Sequence, residues 1–316
     1  MKKIAILLSV ILTLVGCSSK DKTDTEAIKV VTSFYPLYDF TLKIGGDHVE
    51  IINIVGSSEA HGFEPSPQNL IDINEADIFI YNGAGMEPWV EKVLATIENK
   101  ELTIINASEK IALMESDHNH DHETSDDDHE EHSDHDHEDH DHGIYDPHTW
   151  LDPENARIQM AAIRDALIGL DAQNSRDYTE NYDRYDSEIT KLMSEFSEKL
   201  SNTTRKEIIV DHPAFGYLLH RFGIEQIAIT GGSLESEPTI KDIEAAIQQI
   251  KDLDAKVIYV ETLSDLKIAN VLNKELGVQV LTLNTLESMT KDALVSGNDY
   301  FSVMRQNMDN ILEGLK

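Results

Sequence analysis

The stretch Glu207-Ile208-Ile209-Val210-Asp211-His212-Pro213-Ala214-Phe215-Gly216-Tyr217 joins a β-branched run, a polar junction and a proline. Glu207 to Val210 reads as a short strand, Asp211 and His212 as the loop at its carboxyl end, and Pro213 as a helix start. The same alternation recurs on both sides. Lys29 to Ser33, Val49 to Ile54, Ile78 to Tyr81 and Thr103 to Asn106 read as one set of strands. Glu207 to Val210, Gln226 to Ile229, Val257 to Val260 and Gln279 to Leu283 read as a second. Helical patterns lie between most of them, which is how parallel sheets covered by helices are written. The fold class is therefore α/β, with two lobes that each hold a parallel β-sheet flanked by helices.

A long helical region separates the two strand sets. Asp152-Pro153 supplies an N-cap and a proline at the first helical position. Ala156, Met160, Ile163, Leu167 and Leu170 then fall on one face. A second helix carries Tyr178, Tyr182, Tyr185, Ile189, Leu192, Phe196 and Leu200 at steps of three and four. A coiled-coil dimer could use this stripe, but about three heptads fall short of the usual run. The preferred reading is a long rigid backbone helix that packs along both lobes and joins them in a monomer. The expected organisation is residues 1–17 signal peptide, 18–27 flexible tether, 28–172 first lobe, 173–203 linking helix and 204–316 second lobe.

Charge narrows the ligand class. The chain of 316 residues carries a net charge of -33, and the stretch Glu115 to His142 holds 14 acids with no Lys or Arg; without them -19 remains. A surface this acidic argues against nucleic acid, whose phosphates need positive charge, and suits a cation. Residues 115–143 form a low-complexity insertion in the first lobe, too polar to form a core and expected to stay disordered. Its nine histidines are His118, His120, His122, His129, His132, His135, His137, His140 and His142, an accessory set that would collect metal weakly at several places. His129-Glu130-Glu131-His132 has the wrong spacing for a metalloprotease helix.

At the N-terminus, Lys2 and Lys3 precede an apolar run from Ile4 to Val15, too short to span a bilayer and read as a secretory signal. Leu14-Val15-Gly16-Cys17 looks like a bacterial lipobox, in which the cysteine takes the lipid; an ordinary signal peptide with an incidental cysteine is the alternative. Cys17 is the single cysteine, so no intramolecular disulfide can form.

Five histidines remain outside the insertion, and three share a setting. His61 opens His61-Gly62-Phe63-Glu64-Pro65-Ser66-Pro67, after a strand and ahead of a capped helix. His148 sits in Asp146-Pro147-His148-Thr149-Trp150-Leu151-Asp152-Pro153, also ahead of a helix, and His212 follows the strand quoted first. Open α/β sheets bind ligands just beyond the carboxyl ends of their strands. Several imidazoles together select zinc, copper or nickel over magnesium, calcium or manganese, and three with a carboxylate or water make a common tetrahedral zinc set. Glu287, after the strand Gln279 to Leu283, is the first candidate for the fourth position; Glu261 is the second, and water a third. His48 and His220 read as ordinary surface histidines, and Phe63, Trp150, Phe215 and Tyr217 as packing around the site.

With these motifs in this order, the chain resembles the cluster A-I metal-binding lipoproteins of ABC transporters, in particular the zinc branch of the AdcA/ZnuA type. The resemblance runs over nearly the whole chain after the tether. It implies His61, His148, His212 and Glu287 as ligands of Zn2+, an ABC permease as partner, and no catalysis. Members specialised for manganese carry a glutamate where His212 stands. It also implies a lipid anchor on the outer face of the bacterial cytoplasmic membrane. With the chain ending at Lys316, the extra C-terminal zinc-binding domain of some members is not expected. The rival readings are a surface zinc hydrolase, with Asp211 or Glu64 as base, and an adhesin on the same fold.

Overall fold

The structure is a computed structural model and describes residues 27–116, 144–229, 240–262 and 266–316. In the first lobe, β1 (Ile28–Thr32), β2 (Val49–Asn53), β3 (Ile78–Tyr81) and β4 (Thr103–Asn106) form one parallel sheet in the order β2-β1-β3-β4. In the second, β5 (Glu207–Val210), β6 (Glu225–Ala228), β7 (Val257–Glu261) and β8 (Gln279–Leu283) repeat that order as β6-β5-β7-β8. The central strands are buried on both faces, which is why Ile78-Phe79-Ile80 and Val257-Ile258-Tyr259-Val260 read as unbroken apolar runs. The strands fall within a residue of their sequence reading. One shift matters: Glu261 is the last residue of β7, where the sequence places it just beyond the strand.

Helices cover the sheets. The first lobe carries α1 (Tyr35–Gly45), α2 (Pro67–Glu75), α3 (Val90–Leu94) and α4 (Pro153–Leu170). The long helix α5 (Ser175–Leu200) follows, and the second lobe carries α6 (Gly216–Arg221), α7 (Ile240–Asp252), α8 (Lys267–Leu276), α9 (Lys291–Val295) and α10 (Tyr300–Gly314). Local signals account for several starts. The Ser66 hydroxyl caps α2 in a reciprocal box with Asn69, and the Asp152 carboxylate accepts the Glu154 N–H at 3.0 Å to cap α4 ahead of Pro153. Two readings need correction. Pro213 does not start a helix: Ala214 N–H turns back to the His212 carbonyl at 3.0 Å, and α6 begins only at Gly216. Leu170 is exposed, because α4 ends there and its buried stripe stops at Leu167.

Helix α5 touches both lobes. It lies on α1 and α4 of the first and on α10 of the second, burying Tyr178, Ile189, Leu192, Phe196 and Leu200 while Tyr182 and Tyr185 stay half-buried. Tyr185 stacks on Phe301 with ring centroids 5.9 Å apart. Beside them Lys43 of α1 lies between Asp39 at 2.9 Å and Asp299, the N-cap of α10, at 3.0 Å. Above this brace, buried Trp150 of the first lobe donates its indole N–H to the Thr285 carbonyl at 2.7 Å, and Tyr300 donates its hydroxyl to the Trp150 carbonyl at 2.8 Å. Arg221 pairs with Asp152 across the same boundary.

These bonds tie the two lobes together, and those of Trp150 and Tyr300 do so away from water. Removing the Tyr300 hydroxyl as Tyr300→Phe is expected to cost about 1–2 kcal/mol by taking a donor from a buried carbonyl. Urea unfolding followed by tryptophan fluorescence measures it, and a midpoint equal to wild type would contradict the role given to this bond.

Candidate metal centre

Each candidate ligand stands where a strand, or the chain just ahead of a helix, delivers it. After β2 the backbone stays beside β1, with Ile54 N–H on the Thr32 carbonyl and Val55 N–H on the Ser33 carbonyl, before the loop that carries His61. His148 lies in the turn ahead of α4, where the Asn82 amide donates to the Pro147 carbonyl at 2.8 Å. His212 follows β5, its N–H on the Asp211 carboxylate at 2.7 Å, while Gln226 of β6 brackets the loop by accepting from Phe215 N–H and donating to the Pro213 carbonyl. Glu287 follows β8 through Leu286, a buried residue held at φ +62 with its N–H on the Asn284 side chain. A leucine in the left-handed region is strained, and such strain concentrates at functional sites. Asn307 of α10 fixes Asn284 with bonds to both its N–H and its carbonyl.

The four side chains meet at one point. The Nε2 atoms of His61 and His148 are 3.1 Å apart, and those of His148 and His212 are 3.0 Å apart. Glu287 Oε1 lies 3.3 Å from His61 Nε2, 3.5 Å from His148 Nε2 and 4.0 Å from His212 Nε2. All four donor atoms fall within 4.8 Å of one another. A tetrahedral zinc ion with bonds of about 2.0–2.1 Å needs ligand atoms about 3.3 Å apart. His61 and His148 come from the first lobe, His212 and Glu287 from the second.

The support of these ligands was only partly legible in the sequence. His148 Nδ1 faces Asp146 Oδ1 at 2.7 Å, which fixes the tautomer and directs the other nitrogen into the cluster, the usual arrangement of a metal-bound imidazole. No sequence signal assigned Asp146 that part, although it stands two residues before the ligand. Glu87 was missed altogether: its carboxylate accepts from Ser33 Oγ, Asn82 N–H and Gly83 N–H, and joins the ends of β1 and β3. Glu261 stands outside the four-donor group, its N–H on Asp211 and its carboxylate on the Thr285 hydroxyl. His48 pairs with Asp177 at 3.0 Å, and neither it nor His220 joins the group. Trp150 and Phe215 are buried beside the candidate ligands, with Phe34 edge-on to Trp150 at 4.6 Å. Cys17 and the nine histidines from His118 to His142 lie outside the described residues.

Charge is balanced within the cluster. Burial alone would lower the His148 pKa, but the Asp146 and Glu287 carboxylates outweigh it and push it up to about 10. Burial would raise Glu287, yet the imidazoles of His61 and His148 hold it well below the usual carboxylate range. Burial, with Glu287 beside it, pushes Glu261 up to about 8, so it stands largely protonated at neutral pH.

Two parallel α/β lobes that bring three imidazoles and one carboxylate together at their junction have the architecture of a two-lobed solute-binding protein with a group suited to a metal ion. Within that class the chain belongs to the family of ZnuA, the periplasmic zinc-uptake complex component A, whose model matches residues 30–314. It is 34% identical over 315 residues to the zinc-binding lipoprotein AdcA of Streptococcus pneumoniae, covering 98% of this chain and 60% of that protein. The chain thus spans about 60% of the length of that relative. It is 35% identical over 301 residues to the high-affinity zinc uptake system protein ZnuA of Bacillus subtilis, covering 94% of this chain and 91% of the relative. Among solved structures it resembles the Zn(II)-bound ZnuA-like domain of Streptococcus pneumoniae AdcA. The TM-score is 0.77 and the identity 30%, over 92% of this chain and 99% of the other.

A ligating imidazole must be neutral, whereas His148, with its pKa raised to about 10, is charged at pH 7 in the metal-free protein. An entering divalent ion is therefore expected to displace about one proton from His148, and affinity should climb about tenfold per pH unit until that pKa is passed. Calorimetry at pH 7 in two buffers of different ionisation heat counts the protons. Metal binding with no proton release would contradict this charge state.

Proposed function

We propose that the chain captures Zn2+ outside the cytoplasm and delivers it to an ABC permease, with His61, His148, His212 and Glu287 as the ligands. The observation that carries this reading is the convergence of three imidazole nitrogens and one carboxylate oxygen within 4.8 Å, with five of the six pairs at 3.0 to 4.0 Å, near the edge of a zinc tetrahedron. Three imidazoles favour zinc over manganese, which prefers oxygen. The name of the family and the zinc-bound relative support the same metal.

Capture needs no catalysis. A catalytic zinc keeps one position open for water, whereas Glu287 takes the fourth position of this set. Of the bases a hydrolase would need, Glu64 is exposed and Asp211 is engaged by the N–H groups of His212 and Glu261. The reading extends to the organisation expected from the sequence. Residues 1–17 direct export, Cys17 takes the lipid, and 18–27 tether two lobes, 28–172 and 204–316, joined through 173–203. The insertion 115–143 supplies weak accessory metal sites. The protein acts as a monomer held at the outer face of the cytoplasmic membrane.

Calorimetry on a soluble form lacking residues 1–17 and 117–142 tests the site apart from the insertion. One tight zinc site is expected, with weak manganese binding and loss of the site in His212→Ala. Absence of a tight site in the deleted form would overturn the cleft as the binding site and leave the insertion as the metal binder.

A further inference from the structure

The residues on either side of the segment 117–143 run antiparallel around a Glu115–Tyr145 bridge. Asp146 N–H donates to the Met114 carbonyl at 2.9 Å, and Ser116 N–H to the Ile144 carbonyl at 2.9 Å. Antiparallel partners of this kind exchange two hydrogen bonds. Between Met114 and Asp146 the second bond is relayed. The hydroxyl of Tyr217, from α6 of the other lobe, accepts from Met114 N–H at 3.0 Å and donates to the Asp146 carbonyl at 2.8 Å. Tyr217 is only 5% exposed, so this contact forms away from water.

The preceding residue leaves room for the other end of Asp146. A Cβ on Gly216 would lie 2.9 Å from Asp146 Oδ2 and 3.2 Å from Gln226 Nε2, so the missing side chain is what lets the carboxylate rest against the second lobe. Its other oxygen, Oδ1, accepts from His148 N–H at 2.9 Å and faces His148 Nδ1 at 2.7 Å. Asp146 is thus bonded to His148 in the first lobe and to Tyr217 in the second, with its carboxylate close against Gly216. Those two residues follow closely on His212, so one segment both supplies a ligand and reaches the support of another.

We propose that Tyr217 is a positioning residue for His148. From the second lobe its hydroxyl fixes the Asp146 backbone, and through it the carboxylate that orients the imidazole, so that the seating of the two lobes sets how firmly the ion is held. The proposal rests on the zinc reading given above. Groups that orient a ligating histidine typically change metal affinity about 10- to 100-fold when removed, and one acting through an intermediary belongs at the lower end.

The test uses the full chain. In Tyr217→Phe, zinc dissociation measured with a chelating dye is expected to quicken about tenfold. Asp146→Ala should quicken it at least as much, and the double variant no more than Asp146→Ala alone, because both changes act on one support. Tyr259→Phe removes another buried hydroxyl of the second lobe, one bonded to Asn310 and Gly314, and should leave the rate unchanged. In the metal-free protein, the His148 Nδ1–H resonance, assigned by its loss in His148→Gln, should be sharp and downfield in wild type and broadened in Tyr217→Phe. Additive losses in the double variant, an equal quickening in Tyr259→Phe, or an unchanged resonance in Tyr217→Phe would overturn the proposal. Because that resonance is read without metal, a wild-type protein that failed to hold zinc would overturn the zinc reading, while the spectrum still decided the role of Tyr217.

Discussion

Four donor atoms from two separate lobes lie within 4.8 Å of one another, and this convergence constrains everything around it. No single parallel sheet delivers such a set, since its strand ends are spread along one edge. Two lobes whose sheets share the same strand order each place two of these side chains at the junction. Holding three imidazoles and a carboxylate this close requires that the lobes barely shift, because an error of an ångström would leave one ligand beyond bonding reach. The cross-lobe bonds of Trp150, Tyr300 and Arg221 and the brace of Lys43 against Asp39 and Asp299 meet that requirement.

The same constraint shapes the dynamics. Helix α5 packs on both lobes, an arrangement expected to oppose hinge bending and leave closure to local movement of loops and side chains. Five of the six pairs of donor atoms already stand 3.0 to 4.0 Å apart. The Asp146 and Glu287 carboxylates push the His148 pKa up and balance its charge, so an entering ion is expected to replace a proton there. Glu261, kept largely protonated behind Glu287, avoids adding a second negative charge beside the ligand carboxylate.

Much of this was legible in the sequence because the determinants are local. β-Branched runs placed all eight strands to within a residue, and proline with a capping residue placed the starts of α2 and α4. The three histidines that the structure brings together were readable from matching contexts beyond strands or before helices. Local signals failed where tertiary contacts decide. Pro213 promised a helix, but the turn from Ala214 to His212 delays α6 to Gly216. Spacing could not choose between Glu261 and Glu287, because the choice turns on Leu286 in the left-handed region and on the grip of Thr285 on Glu261. The part played by Asp146 was equally hidden, since its partners on the second lobe are about 70 residues away in the chain.

X-ray absorption at the zinc edge of the metal-loaded protein tests the central claim most directly. The account predicts a four-coordinate shell with three imidazole nitrogens at about 2.0–2.1 Å and one carboxylate oxygen at about 2.0–2.2 Å. A six-coordinate, oxygen-dominated shell, or one with fewer than three imidazoles, would contradict it.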